Sequence, residues 1–294
     1  AGMLGRGLRA VRSRFGGGGG EIRVANDGAV DDTAAVLEAA ASRQGNLGAL
    51  HKENGGPGEA RNFGLERAGL ERILFLDDDV FPEPDLLEAH SRALDRVCDV
   101  SQGDIIWHEE VAQDEIIRFM DARGMQFRLH GRPDGERLSC LQVYTANVAM
   151  RRRDAVRAGG FDRAFAARRY AFEDTAFALR LEKQGCRIAF SAGARARHLH
   201  PMTEEGLFKR ERAVGYGMAV ARTRYPEIAD ALGFDRITRF ASGQLALTKL
   251  AEALGLPKLL PGLLERNARR RLGLRRAFLE GALEAMRETG GGAA

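Results

Sequence analysis

The spacing of apolar positions changes several times along the chain, and each change marks an element. Over Met3–Arg14, Leu4, Leu8 and Val11 fall on one side and Arg6, Arg9 and Arg12 largely on the other, which predicts a helix. The glycine run Gly16 to Gly20 then breaks the chain; it makes a flexible turn and lacks the spacing of a dinucleotide fingerprint. Glu21–Ala25 reads as a strand running into Asn26-Asp27-Gly28, after which Asp31, Asp32 and Thr33 are placed to cap a helix through about Arg43. Gly55, Gly56 and Gly58 precede a helix-like segment, Glu59–Ala68. Arg72–Leu76, dominated by Ile, Leu and Phe, is long enough only for a buried strand.

At the C-terminal end of that strand stand Asp77, Asp78 and Asp79. Ligands of open α/β sheets bind beyond the carboxyl ends of strands, so a hard divalent cation holding a phosphorylated ligand would supply their counter-charge. A turn into the next helix, with Pro82 and Pro84, also accounts for them. From Asp85 a helix is predicted, with Leu86, Leu87, His90, Leu94 and Val97 on one stripe and His90 as a packed core residue. Val100–Trp107 reads as a strand and Gln113–Arg123 as a helix with Ile116, Ile117 and Met120 inward; Trp107 and His108 are core residues or line an acceptor. Arg128–Glu136 is a polar loop, expected to be mobile near the site. Leu141–Met150 returns to strand character, a short helix follows at Arg151–Ala158, and Gly159-Gly160-Phe161-Asp162 turns toward Glu173 and Asp174.

Asp174 stands at the expected N-terminus of a helix, Thr175–Gln184, closed by Gly185. That position suits either an N-cap or an anionic proton acceptor favoured by the helix dipole. Arg187–Phe190 is a strand, and in His198-Leu199-His200 the alternation lets two imidazoles share a site. Glu204–Arg224, stopped by Tyr225-Pro226, and then Asp235–Leu254 and Lys258–Arg287 read as amphipathic helices. Arg266, Arg269, Arg270, Arg271, Arg275 and Arg276 form a cationic cluster beside Leu259, Leu260, Leu263 and Leu264, and the final Gly-Gly-Gly-Ala-Ala is a disordered end.

Two blocks carry a resemblance. NGGPGEARNFG followed after about ten residues by ILFLDDDVFPEPDLL, and then Thr145–Gly185 ending in a Glu-Asp pair, resemble the inverting family 2 glycosyltransferases of the GT-A fold over roughly Leu4–Pro201. The resemblance implies a Rossmann-like α/β domain with a mixed, mostly parallel sheet flanked by helices. It also implies transfer of a sugar from a nucleoside-diphosphate sugar to an acceptor hydroxyl with inversion, in polysaccharide or glycoconjugate synthesis. By position it assigns Asp79, Asp77 and His198 to a Mg²⁺ or Mn²⁺ ion. Asp27, Asn26, Arg61, Asn62, Asp77 and Asp78 fall to the nucleotide-sugar, Asp174 to the base, and Glu173 to its orientation. Asn26-Asp27-Gly28 departs from the family's Asp-Asp-Gly-Ser turn at its first and last positions. The family's first strand has no counterpart before Ala1, so exposed ladder groups and an incomplete base pocket are expected, and the start AGML reads as that of a fragment.

Composition trims this picture. With 294 residues and 44% hydrophobic content the chain can build a sizeable core. The formal charge of +4 comes mainly from Arg without interleaved aromatics, so no nucleic-acid partner is expected. Cys98, Cys140 and Cys186 have no metal-ligand spacing and read as buried thiols of a reducing compartment; no 18-residue apolar run is present. The expected organisation is a GT-A domain over 1–201, split into a nucleotide half, 1–100, and an acceptor half, 101–201, with a helical extension over 202–294. The partners are a nucleotide-sugar donor and a glycan or lipid-linked acceptor. The place is the cytoplasm, with peripheral contact at the inner face of the membrane through the basic C-terminal helices. A catalytically silent glycosyltransferase-like binding protein and a nucleotidyltransferase of related topology remain as alternatives.

Overall fold

A computed structural model describes residues 2–15, 20–165, 171–259 and 262–290. Gly16–Gly19, Leu260, the side chains of Leu259 and Leu263, and the last four residues of the expected disordered end lie outside what is described. Two compact units divide the chain, one formed by Ala1–Ala166 with Glu173–Pro201, the other by Ala167–Phe172 with Met202–Ala294.

The first unit begins with α1 (Gly2–Phe15), β1 (Ile22–Asp27), α2 (Thr33–Ala41), β2 (Leu47–Lys52), α3 (Pro57–Arg67), β3 (Arg72–Leu76) and β4 (Val80–Pro82). It continues with α4 (Leu86–Arg96), β5 (Val100–Trp107), α5 (Glu109–Ala112), α6 (Glu115–Ala122), β6 (Asn147–Arg151), α7 (Arg152–Arg157), α8 (Glu173–Lys183) and β7 (Ile188–His198). The second unit is helical: α9 (Glu204–Arg224), α10 (Pro226–Ala231), α11 (Phe234–Thr238), α12 (Ala241–Ala253) and α13 (Gly262–Gly290). The single helix expected over Asp235–Leu254 is broken at Phe240, which adopts φ 60°.

The strands form two sheets, β1-β2 and β3-β6-β5-β7-β4. The sheets are mixed, as expected: β1–β2 and β5–β7 are parallel, while the shorter ladders β3–β6, β5–β6 and β4–β7 are antiparallel. An apolar run specifies a strand and not its direction. Residues 108–146, between β5 and β6, return the chain to the end of the sheet where β5 finishes, so β6 must run backwards. β1 and β3 each pair on one side only among the described residues.

The sheet is pinned at its centre by polar residues. Asn147 is fully buried; its side chain donates to Ala194 O at 2.8 Å and meets His90 Nε2 at 3.0 Å, whose Nδ1 lies 2.8 Å from Ser101 Oγ. His90 is therefore a packed core residue, and burial pushes its pKa down to about 4. A Cβ on Gly103 would lie 2.1 Å from Asn147 Nδ2 and 2.4 Å from Ala194 O, so only glycine fits where the β5–β7 register shifts. Phe75, Phe161 and Phe177 pack edge and face, with Phe161 and Phe177 ring centroids 4.5 Å apart, and this apolar wedge fixes α8 against β3.

Candidate active site

Three groups of side chains collect at the carboxyl ends of β1, β3 and β7. The first surrounds Asp27. Its Oδ1 accepts from Gly55 N at 2.9 Å and Lys52 Nζ at 2.6 Å, and its Oδ2 accepts from Gly56 N at 2.6 Å. The turn that carries it requires Gly28, whose φ is 74° and where a Cβ would lie 2.7 Å from Asn54 N. Asn26 supports the turn, accepting from Ala29 N at 2.9 Å and meeting His51 Nδ1 at 3.2 Å. The glycine-rich loop thus closes onto the Asp27 carboxylate.

The second group is built on Arg61, from α3. Its Nη2 donates to Asp77 Oδ1 at 2.8 Å and its Nη1 to Glu173 Oε1 at 3.1 Å. Burial opposes the guanidinium charge, but Asp77 and Glu173 outweigh it and the pKa is raised. Asp174 is the second residue of α8 and not its N-cap; its Oδ1 accepts from Thr175 N at 2.8 Å. The dipole was expected to favour its anion, yet burial first and Glu173 second push the carboxyl up to about 7, while Arg61 pulls it down. Asn62 faces elsewhere: its amide donates to Phe161 O at 2.9 Å and accepts from Phe161 N at 2.7 Å, holding the turn that leads toward α8.

The third group is Asp79 with two histidines from the end of β7. Asp79 Oδ2 lies 3.2 Å from His198 Nε2 and 3.0 Å from His200 Nδ1, and the imidazoles are parallel with centroids 5.5 Å apart. Burial would raise the Asp79 carboxyl, but hydrogen bonds from both histidines hold it well below the usual range. One ligand atom from each of the three residues lies within 4.8 Å of the others. His198 Nδ1 is buried with no hydrogen-bond partner. Asp78 sits between the groups; burial, then Asp79 and Asp77, raise its pKa. α1 fixes this turn, for a Cβ on Gly7 would lie 2.5 Å from Asp78 O.

Beside the histidines is an aromatic wall. Trp107 lies 5.7 Å from Phe127 and 5.3 Å from His198, and Phe127 lies 5.3 Å from Tyr144, centroid to centroid. All three are half-buried. Phe127 holds φ 53°, a left-handed conformation uncommon for a bulky residue. His108, by contrast, caps α5, accepting from Glu110 N at 3.3 Å.

The structure thus joins Asp77, Glu173 and Asp174 through Arg61, and Asp79 with His198. It separates Asp77 from the histidine cluster, and it gives Asn26 and Asn62 backbone partners. His200 was signalled by the His-x-His alternation. Lys52 was not signalled, because Leu47–Lys52 carries no clear period.

An α/β unit with a helical extension, acidic groups beyond the strand ends and a glycine-rich loop closing on a carboxylate defines a nucleotide-diphospho-sugar transferase fold. The chain belongs to glycosyl transferase family 2, whose model matches residues 1–160. It is 40% identical over 68 residues to a Bacillus subtilis protein named as a glycosyltransferase, EpsH; the match spans 23% of this chain and 20% of that protein. The mannosyltransferase PcManGT of Pyrobaculum calidifontis, solved with GDP-Man and Mn²⁺, is 16% identical; the likeness covers 98% of this chain and 84% of that one, with a TM-score of 0.62. TarS of S. aureus is 16% identical with a TM-score of 0.51, covering 93% of this chain and 51% of that one. The fold is accordingly GT-A. No helix among the described residues is long and apolar enough to cross a membrane.

Proposed function

We propose that the chain transfers a sugar from a nucleoside diphosphate to an acceptor hydroxyl with inversion, with the nucleotide held by residues 1–100 and the acceptor by 101–201. The observation that carries this reading is the Asp79, His198 and His200 cluster, three donors converging at the end of the strand that leads into the acidic motif. One carboxylate and two imidazoles fit a divalent ion, and of Mg²⁺ and Mn²⁺ they suit Mn²⁺ better, since imidazole is a poor ligand for Mg²⁺. When bound, the ion neutralises charge on the departing diphosphate as a Lewis acid and template.

The remaining work falls to the chain's own groups. Asp27, fixed by Gly55, Gly56 and Lys52, stands where the family reads the base. Asp174 takes the proton of the acceptor hydroxyl, and a carboxyl pushed up to about 7 is a suitably strong base near neutrality. Glu173 holds Arg61 in place and keeps Asp174 from ionising too readily. Trp107, Phe127 and Tyr144 offer ring faces on which an acceptor sugar can stack. The acceptor is a glycan or a lipid-linked glycan, with the second unit as the place of membrane contact.

Calorimetric titration of nucleoside diphosphates and their sugars, with and without Mn²⁺, tests the reading on the chain and on Asp79→Ala. Binding of one nucleotide that needs both metal and Asp79 is expected. Nucleotide binding indifferent to both would remove the reading, and release of pyrophosphate in turnover would point to a nucleotidyltransferase.

A further inference from the structure

α12 is amphipathic, but its apolar side faces water. Its polar groups are turned to α13: Arg275 donates to Gln244, Arg276 Nη1 donates to Glu252 Oε2 at 2.6 Å, Lys249 Nζ lies 3.4 Å from Glu280 Oε1, and Thr248 is buried. The opposite side consists of Gly243, Ala246, Leu247, Leu250, Ala253 and Leu254, all exposed and none charged. Their spacing of three and four places them on one stripe. Leu247 is 67%, Leu250 53% and Leu254 65% exposed. A lone exposed leucine is ordinary, whereas a continuous stripe of them marks a contact surface.

Phe240, at the start of the helix, is 79% exposed and held at φ 60°, a left-handed conformation uncommon for a bulky residue. Beyond the helix, Leu256 and Leu264 are 47% and 60% exposed. Basic groups follow the helix in the chain. Lys258 folds back so that a Cβ on Gly255 would lie 3.4 Å from its Cδ, and Arg266, Arg269 and Arg271 are exposed at the start of α13. Residues 240–271 hold six basic side chains against two acidic ones; Arg270 among them is buried, Lys249 faces Glu280 and Arg269 faces Glu265, and Lys258, Arg266 and Arg271 carry the remaining positive charge.

We infer that the apolar face of α12 lies on an anionic lipid surface, with Phe240, Leu247, Leu250 and Leu254 in the acyl boundary and the neighbouring Lys and Arg residues at the headgroups. Each apolar side chain gains on entering the interface, and the basic residues that follow supply attraction to anionic lipid. A second copy of the chain is the weaker occupant. A 13-residue helix is about 20 Å long, and one face of it falls well short of the roughly 800 Å² per partner of a stable dimer. This deepens the membrane contact proposed above by naming the face that makes it, and its test needs no nucleotide, so it stands or falls apart from sugar transfer.

The test is co-sedimentation of the full chain with vesicles of phosphatidylcholine alone and of equimolar phosphatidylcholine and phosphatidylglycerol. Its companion is the Leu247→Gln, Leu250→Gln, Leu254→Gln triple variant. Binding to the anionic vesicles, weakened about tenfold or more in the variant, is expected. The variant's urea midpoint should not fall, because the stripe already faces water. Failure of the unaltered chain to bind, or equal binding by the variant, would overturn the inference. So would sedimentation velocity showing a lipid-free dimer that the variant dissociates, which would assign the stripe to a second copy.

Discussion

Asp79 and Asp174 are both carboxylates drawn out of water, at opposite ends of the candidate site's acidic groups, and their surroundings drive them in opposite directions. Asp79 gains two imidazole donors and stays anionic, whereas Asp174 gains the N–H of Thr175 at 2.8 Å, its hydroxyl at 3.5 Å and a neighbouring Glu173, and its carboxyl climbs to about 7. Burial acts on both in the same sense. What differs is the neighbour, two imidazoles beside Asp79 and a second carboxylate, Glu173, beside Asp174, so one residue type is held as an anion in one place and keeps its proton to about pH 7 in the other.

The sharpest test of this contrast is Asp174→Asn. Release of nucleoside diphosphate in the presence of acceptor should fall about 10³-fold while nucleotide affinity is kept; unchanged turnover would end its role as base. The unaltered chain should also show rate rising with pH through about 7 as Asp174 ionises. Stability runs the other way. The native carboxyl near 7, against 3.8 in the unfolded chain, keeps its proton between those values, so the contribution of Asp174 to stability is fully present below about pH 4 and is lost as pH rises through 7. Urea midpoints of Asp174→Asn across that window should lack this slope.

Asp79→Ala tests the other arm. Metal-dependent nucleotide affinity should fall about 10²-fold, measured by calorimetry, with the pH dependence assigned to Asp174 left in place. Arg61→Met would weaken the contrast from the middle. It strands Asp77 and Glu173 and should cost about 2–3 kcal/mol of stability, a figure reduced because Asp77 is about a third exposed. Losing a cation that lowers Asp174 should also move the rising limb of the rate profile to higher pH. The smallest effect is expected of His200→Ala, whose side chain is 49% exposed against 8% for His198; Mn²⁺ affinity should drop only about tenfold.

Much of this arrangement was legible in the chain itself, where local pattern and tertiary role agree. β3 occupies the predicted residues because a short continuous apolar run leaves no other element, β5 does so although its centre, Ser101 to Asp104, is polar, and α9 runs from Glu204 to Arg224 because Tyr225-Pro226 must stop it. β4 escaped because a three-residue strand containing Pro82 has no period. The direction of β6 escaped because direction belongs to connections and not to side chains. Within the site, His198 with His200 follows from alternation on an extended segment, and Asp79 with His198 from the family resemblance. The state of Asp174 does not, since a helix start predicts an anion and only burial with Glu173 alongside reverses it. α12 is the extreme case: its pattern gives a helix, and its partner decides which face is wet.

The short β4 bears on how the protein behaves when concentrated. It is the outermost strand of the five-stranded sheet, three residues long, and its last residue, Pro82, has no N–H to offer an incoming chain. Arg6 of α1 lies 5.6 Å over the ring of Phe81, so a side chain already stands at that margin. This border of the sheet is a poor template for strand addition from another molecule, and edge-to-edge stacking into fibres would have to begin elsewhere.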